Sequence, residues 1–178
     1  AKSGFEAQQS MLQTAANIVS DNLENVVTAW PDFDDLDPFY YELVDAIVGI
    51  DALRQHLSEV TWASRKTGDI REEYQSRFRN VDAEGAKKLR KQAFARIADV
   101  VEEVEDDLDA VNDAHQDLRD LPDIRPDEPT IVVAGYPNVG KSSFVNGVTN
   151  ARNETASYPF TTTEIRVGHI QRDHIRYQ

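Results

Sequence analysis

The chain has 178 residues and a mass of 20.1 kDa, 40% of them hydrophobic and 29% charged, room for one ordinary domain or two small ones. Acids outnumber bases 32 to 19 for a formal charge of −13, and cysteine is absent, which removes disulfide frameworks, thiolate metal sites and cysteine nucleophiles together. No apolar run approaches the about 18 residues of a membrane span and no signal-peptide pattern opens the chain, so the composition reads as a soluble, cytoplasmic protein.

The charge is chemically biased, with 19 Asp to 13 Glu and only 6 Lys to 13 Arg. Short, strongly hydrated Asp in place of long-stemmed Lys suits a surface adapted to high salt, where the Debye length falls to ~3 Å and self-repulsion collapses. A halophilic origin is the expectation. Charge is also unevenly placed: residues 1–64 sum to −9, 65–96 to +5, 97–130 to −11 and 131–178 to +2. The basic island holds Arg65, Lys66, Arg71, Arg77, Arg79, Lys87, Lys88, Arg90, Lys91 and Arg96.

Leu12, Ala16, Val19, Leu23, Val26 and Trp30 recur at helical spacing, which predicts a helix with Ser3 as its cap and Pro31 at its end. Asp37 followed by Pro38 opens a second helix, whose stripe runs through Phe39, Leu43, Ile47, Ile50, Leu53, Leu57 and Val60, with Gly49 only weakening it. Residues 65–80 read as helical around Ile70, Tyr74 and Phe78. A third stripe from Ala86 through Ile97 and Val104 to Leu118 predicts one helix of ~35 residues and ~50 Å. Such lengths imply an elongated antiparallel bundle over residues 1–120. His115 falls on the apolar stripe, where a hydrogen-bonded core histidine is the expectation. Residues 121–129, LPDIRPDEP, carry three prolines, so neither helix nor strand runs through this stiff linker.

Thr130 to Ala134, TIVVA, is β-branched and suits a buried parallel strand. It leads into GYPNVGKS at residues 135–142, which matches the phosphate-binding pattern G-x-x-x-x-G-K-[ST] in its strand-then-helix context. Gly135 and Gly140 free the backbone so that successive N–H groups can face a phosphate chain. Lys141 supplies a point charge to the β and γ phosphates, and Ser142 a hydroxyl for Mg²⁺ at a helix start whose dipole favours the anion. Tyr158 to Glu164, YPFTTTE, lies where a switch loop would stand. A threonine there can give its hydroxyl to Mg²⁺ and its N–H to the γ-phosphate; three threonines entering a strand are otherwise simply β-formers.

GYPNVGKSSFVN followed by SYPFTTTEIRVGHI resembles the Obg-related branch of translation-factor GTPases. With the helical half, including LRKQAFARIADVVEEVEDDL at residues 89–108, the chain is similar to the Nog group, the nucleolar G protein and its archaeal relatives. The resemblance implies an α+α/β fold: a helical bundle followed by the beginning of a P-loop GTPase domain at residues 130–178. It implies GTP or GDP with Mg²⁺ held by Gly135, Asn138, Val139, Gly140, Lys141, Ser142 and Ser143. Lys141 and Thr162 would be catalytic, and Ser142 and Thr162 the metal ligands, with Thr161 as second choice for the switch threonine. The asparagine of such loops can hold a K⁺ ion in related GTPases; an Asn chosen for an awkward turn explains Asn138 equally well. The family's D-x-P-G and N-K-x-D motifs are not in the chain, which reads as part of a longer protein.

The implied function is a GTPase assisting assembly of the large ribosomal subunit as a monomer, its helical half docked on ribosomal RNA under nucleotide control, with neither DNA nor membrane as partner. Arg65, Lys66, Arg71, Arg77, Arg79, Lys87, Lys88, Arg90 and Lys91 form the candidate RNA footprint, against the alternative of a solvated helix surface. A structural placeholder that hardly turns nucleotide over, and an adenine-nucleotide relative, stand beside this reading.

Overall fold

The computed structural model describes residues 2–119, 125, 127–149, 154–157, 164–172 and 175–178. In chain order the elements are α1 (Lys2–Thr28), a 3-10 turn (Phe33–Asp35), α2 (Pro38–Val48), α3 (Ile50–Phe78), α4 (Ala83–Glu103), α5 (Glu105–Arg119), α6 (Lys141–Val148), β1 (Glu154–Ser157), β2 (Glu164–Val167), β3 (Ile170–Arg172) and β4 (Ile175–Tyr177). The chain divides into two compact units, one of residues Ala1–Asp32 and Ile50–Asp113, the other of Phe33–Gly49 and Ala114–Gln178.

In the first unit α1, α3 and α4 pack on one another. Leu12, Ala16 and Leu23 of α1 meet Val60, Ala63, Ile70, Tyr74 and Phe78 of α3 and Ala86, Ala93, Ile97 and Val100 of α4 in one apolar core. Amphipathic stripes of this length are stable because each removes the other's apolar face from water, at ~25 cal/mol per Å². A polar pair sits where α1 crosses α3: the Ser64 hydroxyl donates to the Ser20 carbonyl at 3.0 Å, and the two hydroxyls lie 3.1 Å apart. Asp82 caps α4, its carboxylate accepting from the Gly85 N–H at 2.8 Å. Removing that acceptor with Asp82→Ala is expected to destabilise the unit by about 1 kcal/mol, read as a lower urea midpoint at unchanged slope.

Glu73 ties α3 to α4. Arg96 Nη1 donates to its Oε2 at 2.7 Å, Arg77 Nη1 lies 3.5 Å from its Oε1, and both guanidinium groups sit over the Tyr74 ring at 5.6 and 4.6 Å. The Arg96 hydrogen bond holds the Glu73 carboxyl below its usual range. A carboxyl depressed by folding contributes stability above its unfolded pKa and loses it as pH falls through the folded value. The melting temperature of wild type should therefore exceed that of Glu73→Gln near neutrality, and the gap should close below about pH 4; a gap independent of pH would refute the pairing.

Four expectations for the helices change. Ser3 lies within α1, which starts at Lys2. The second stripe is interrupted at Gly49, whose φ of 69° and ψ of 94° end α2 with its N–H on the Asp45 carbonyl; α3 restarts at Ile50 and runs on through the polar segment as a single helix of 29 residues. A residue free to take positive φ ends a helix more readily than it weakens one. The third stripe breaks at Val104, with φ −108° and ψ 17°, into α4 and α5. Val104 is 1% exposed, and the break puts Glu105, Asp106 and Asp107 in the first turn of α5, where a helix dipole favours acids. Beyond the break the stripe passes through Val111 and Ala114, both buried, while His115 is exposed, so the expectation of a core histidine is withdrawn.

The strands form two antiparallel ladders, β1 with β2 and β3 with β4, in registers Ser157↔Glu164 and Arg172↔Ile175. Thr130 to Ala134 is not a regular strand and is not buried: Ile131 is 63% and Val132 82% exposed. It does make one rung of a parallel ladder. Gln178 N–H donates to the Pro129 carbonyl at 3.0 Å and Ile131 N–H to the Gln178 carbonyl at 2.8 Å, the slanted pair of bonds that straddles one residue in parallel pairing.

Candidate functional site

The chain reaches the phosphate-loop segment from an anchored base. Glu128 Oε1 lies 3.3 Å from Arg125 Nη1, its Oε2 lies 3.4 Å from Arg176 Nε, and the Arg125 N–H donates to Gln178 Oε1 at 2.8 Å. These contacts and the parallel rung fix where residue 130 starts. Of the linker expected at 121–129, residues 121–124 and 126 lie outside the described residues.

From Gly135 to Gly140 the backbone turns sharply, with positive φ at Gly135 (158°), Asn138 (63°) and Gly140 (94°). A Cβ at Gly140 would meet nothing within 4 Å, so glycine is needed there for its backbone angle and not for space. Asn138 occupies the left-handed region, which asparagine tolerates better than most residues, and this conformation accounts for its identity without a bound ion. Gly140 is the N-cap of α6 and no side chain caps that helix. The first intrahelical bond runs from the Phe144 N–H to the Gly140 carbonyl at 2.9 Å, leaving the N–H groups of the first turn without an intrahelical acceptor.

Lys141 folds back over this turn. Its Nζ donates to the Gly135 carbonyl at 2.8 Å and the Tyr136 carbonyl at 2.7 Å, which uses two of the three donors of an ammonium and leaves one to point elsewhere. Ser142 and Ser143 are exposed on the first turn of α6. The structure thus brings Gly135, Asn138, Val139, Gly140, Lys141, Ser142 and Ser143 together on one short turn. Its donors fit a phosphate chain: uncapped helix N–H groups, a cation held in place, and a backbone that no side chain obstructs. Mg²⁺ at a phosphate site takes one or two protein oxygens and completes its shell with phosphate and water. Ser142 offers one such oxygen. Thr161 and Thr162, with Tyr158 to Thr163, lie outside the described residues; the strands on either side, β1 and β2, pair with each other.

The basic island separates into two sets. Arg77 and Arg96 are committed to Glu73, Arg71 reaches Asn17 and Glu72, and Arg90 Nη1 lies 3.4 Å from Met11 Sδ while its guanidinium covers Phe94 at 5.2 Å. Arg65, Arg79, Lys87, Lys88 and Lys91 are exposed, and among the described residues no acidic side chain pairs with them; Lys66 is half-buried. Sequence reasoning missed the Glu73 hub, although Glu73 and Arg77 stand four residues apart, the spacing of a helical ion pair. It also missed His56 Nδ1 2.7 Å from Asp107 Oδ1, a pairing between residues far apart in the chain that no local pattern announces.

Comparison with known proteins assigns both parts. Residues 5–125 match the NOG1 N-terminal helical domain, and residues 130–178 match the 50S ribosome-binding GTPase domain. An uncharacterized protein of Methanocaldococcus jannaschii is 38% identical over 164 residues, covering 92% of this chain and 47% of its own length. Nucleolar GTP-binding protein 1 of Drosophila melanogaster is 32% identical over 159 residues, covering 89% of this chain and 24% of its own. The Saccharomyces cerevisiae protein of that name is 28% identical over 165 residues, covering 89% of this chain and 25% of its own. The chain therefore spans between about a quarter and a half of the length of these relatives. No helix among the described residues is long and apolar enough to cross a membrane. A helical region and a phosphate loop matched in this order, over nearly the whole sequence, make the chain a member of the NOG1 family of GTP-binding proteins.

Proposed function

We propose that the protein binds GTP with Mg²⁺ at residues 135–143 and hydrolyses it, and that it acts in assembly of the large ribosomal subunit with its helical part docked on ribosomal RNA under nucleotide control. The observation that carries the nucleotide reading is Lys141, held by two carbonyls of its own loop at the start of a helix whose first turn no side chain caps. In this reading residues 1–120 form the docking part, 121–129 the linker and 130–178 part of the GTPase domain. The loop amides and Lys141 bind and orient the phosphates, while Ser142 and Thr162 hold the cation. Bound Mg²⁺ supplies charge neutralisation on the phosphates; phosphoryl transfer of this kind is mostly positioning and electrostatics. The relatives named Nucleolar GTP-binding protein 1 and the match to a 50S ribosome-binding GTPase domain support the ribosomal setting.

The RNA footprint in this reading is the set of exposed cations without acidic partners: Arg65, Arg79, Lys87, Lys88 and Lys91. Arginine and lysine supply the phosphate contacts that dominate such binding. Single-turnover GTP hydrolysis by the full-length protein, with and without large-subunit precursors, tests the enzyme: absence of turnover in both conditions would leave a nucleotide-bound placeholder. Reversing Arg79, Lys87, Lys88 and Lys91 to Glu should release the protein from precursor particles by at least about tenfold while GTP affinity stays within about twofold. Unchanged co-sedimentation would remove the footprint.

A further inference from the structure

Between α1 and α4 runs an open groove with an apolar floor. Met11, Ala15 and Ile18 line it from α1, and Phe94, Ile97 and Val101 from α4. Met11 is 48% and Ile18 55% exposed, although both stand on a helix whose other face is buried in the core. Arg90 closes one end, lying over Phe94. Its Nε is buried, and among the described residues nothing accepts from it. Lys87 and Lys91, both exposed, flank it on α4.

We propose that this groove receives an amphipathic helix of a partner protein, with an Asp or Glu of that helix on Arg90. Three observations select this occupant. The groove spans the eleven residue steps from Arg90 to Val101, ~16 Å at 1.5 Å per residue, which is three turns of a docked helix. Its walls are helices whose backbone groups are already paired within themselves, so the occupant must satisfy its own backbone hydrogen bonds, as a helix does and an extended peptide does not. At the Arg90 end the guanidinium Nη1 has the weak acceptor Met11 Sδ beside it at 3.4 Å, and a carboxylate there would be a stronger acceptor and would meet the positive charge of Lys87 and Lys91. Nucleic acid is disfavoured because the lining is mostly aliphatic and aromatic, its phosphate donors being confined to the Arg90 end and the Ser10 and Thr14 hydroxyls. Methionine and aliphatic side chains instead suit adaptable apolar docking.

The test places the photoreactive residue benzoylphenylalanine at Ile18 in the full-length protein, irradiates cells that make it, and maps the cross-linked residues by mass spectrometry. The expected product joins position 18 to a segment of another protein whose apolar residues recur every three or four positions, with an Asp or Glu about two or three turns away. Arg90→Glu should lower its yield at least tenfold. Met11→Glu, at an exposed position, brings a competing carboxylate to Arg90 and should lower it likewise, so loss of folding in one variant leaves the other decisive. Lys141→Ala should leave the yield unchanged, which separates this interface from the nucleotide reading. Cross-links to RNA, to a second copy of the chain or to a segment without that pattern, an absence of product, or a yield indifferent to both charge variants would overturn the proposal.

Discussion

Full-length protein carrying Lys141→Ala should bind GTP about 10- to 100-fold more weakly than wild type, or not at all, in isothermal titration calorimetry. The Nζ spends two donors on the Gly135 and Tyr136 carbonyls at 2.8 and 2.7 Å, which fixes the charge beside the turn before any anion arrives. A charge-assisted hydrogen bond contributes about 1.5–3 kcal/mol, and each 1.4 kcal/mol is roughly tenfold in affinity. Lys141→Arg should not restore binding, because a planar guanidinium cannot place a single donor between two carbonyls and a third acceptor as an ammonium does. The melting temperature of the helical part should stay put in both variants, since Lys141 belongs to the other compact unit. Unaltered heats of binding would remove Lys141 from the nucleotide site and with it the observation on which the proposed function rests.

The largest stability effect is expected at Phe78, which is 1% exposed and meets Phe5 edge to face, with ring centroids 6.0 Å apart at 87°. Phe78→Ala removes a buried aromatic whose cavity the surrounding helices can only partly fill. Losses for such changes run about 3–5 kcal/mol, of which the edge-to-face pair accounts for about 0.5–1.5 kcal/mol. Against a total stability of about 5–15 kcal/mol this is severe, and urea unfolding should show the midpoint falling at constant slope. Trp62 provides the contrast. It is the larger side chain but is 38% exposed, so Trp62→Ala should move the midpoint less than Phe78→Ala does; equal effects at the two positions would contradict the packing described.

The phosphate loop could be read residue by residue because what it does is local. Positive φ at Gly135, Asn138 and Gly140, a lysine four residues after Pro137, and a helix start are properties of a short stretch of backbone, and backbone preferences are written in residue type. The same holds for the Asp37 cap of α2, whose carboxylate accepts from the Phe39 N–H at 2.9 Å. Stripes along α1, α3 and α4 were visible for a related reason: a period near 3.6 needs no knowledge of what it packs against.

Where helices stop was harder to read, since an apolar stripe can continue in phase across a break. Gly49 and Val104 each interrupt a stripe that remains periodic on both sides, and the choice between continuing and breaking depends on what the next helix packs against. Long-range pairing was beyond reach for the same reason. Composition and spacing established a helical chain carrying a phosphate-loop sequence pattern, because both follow from short-range backbone and hydropathy rules. Only the packing of α1, α3 and α4 decided which arginines Glu73 and Tyr74 hold, which cations remain exposed, and that α1 and α4 leave Arg90 at the end of an apolar groove. Those outcomes depend on side chains brought within a few ångströms by the fold from positions far apart along the chain, as Arg90 and Met11 are.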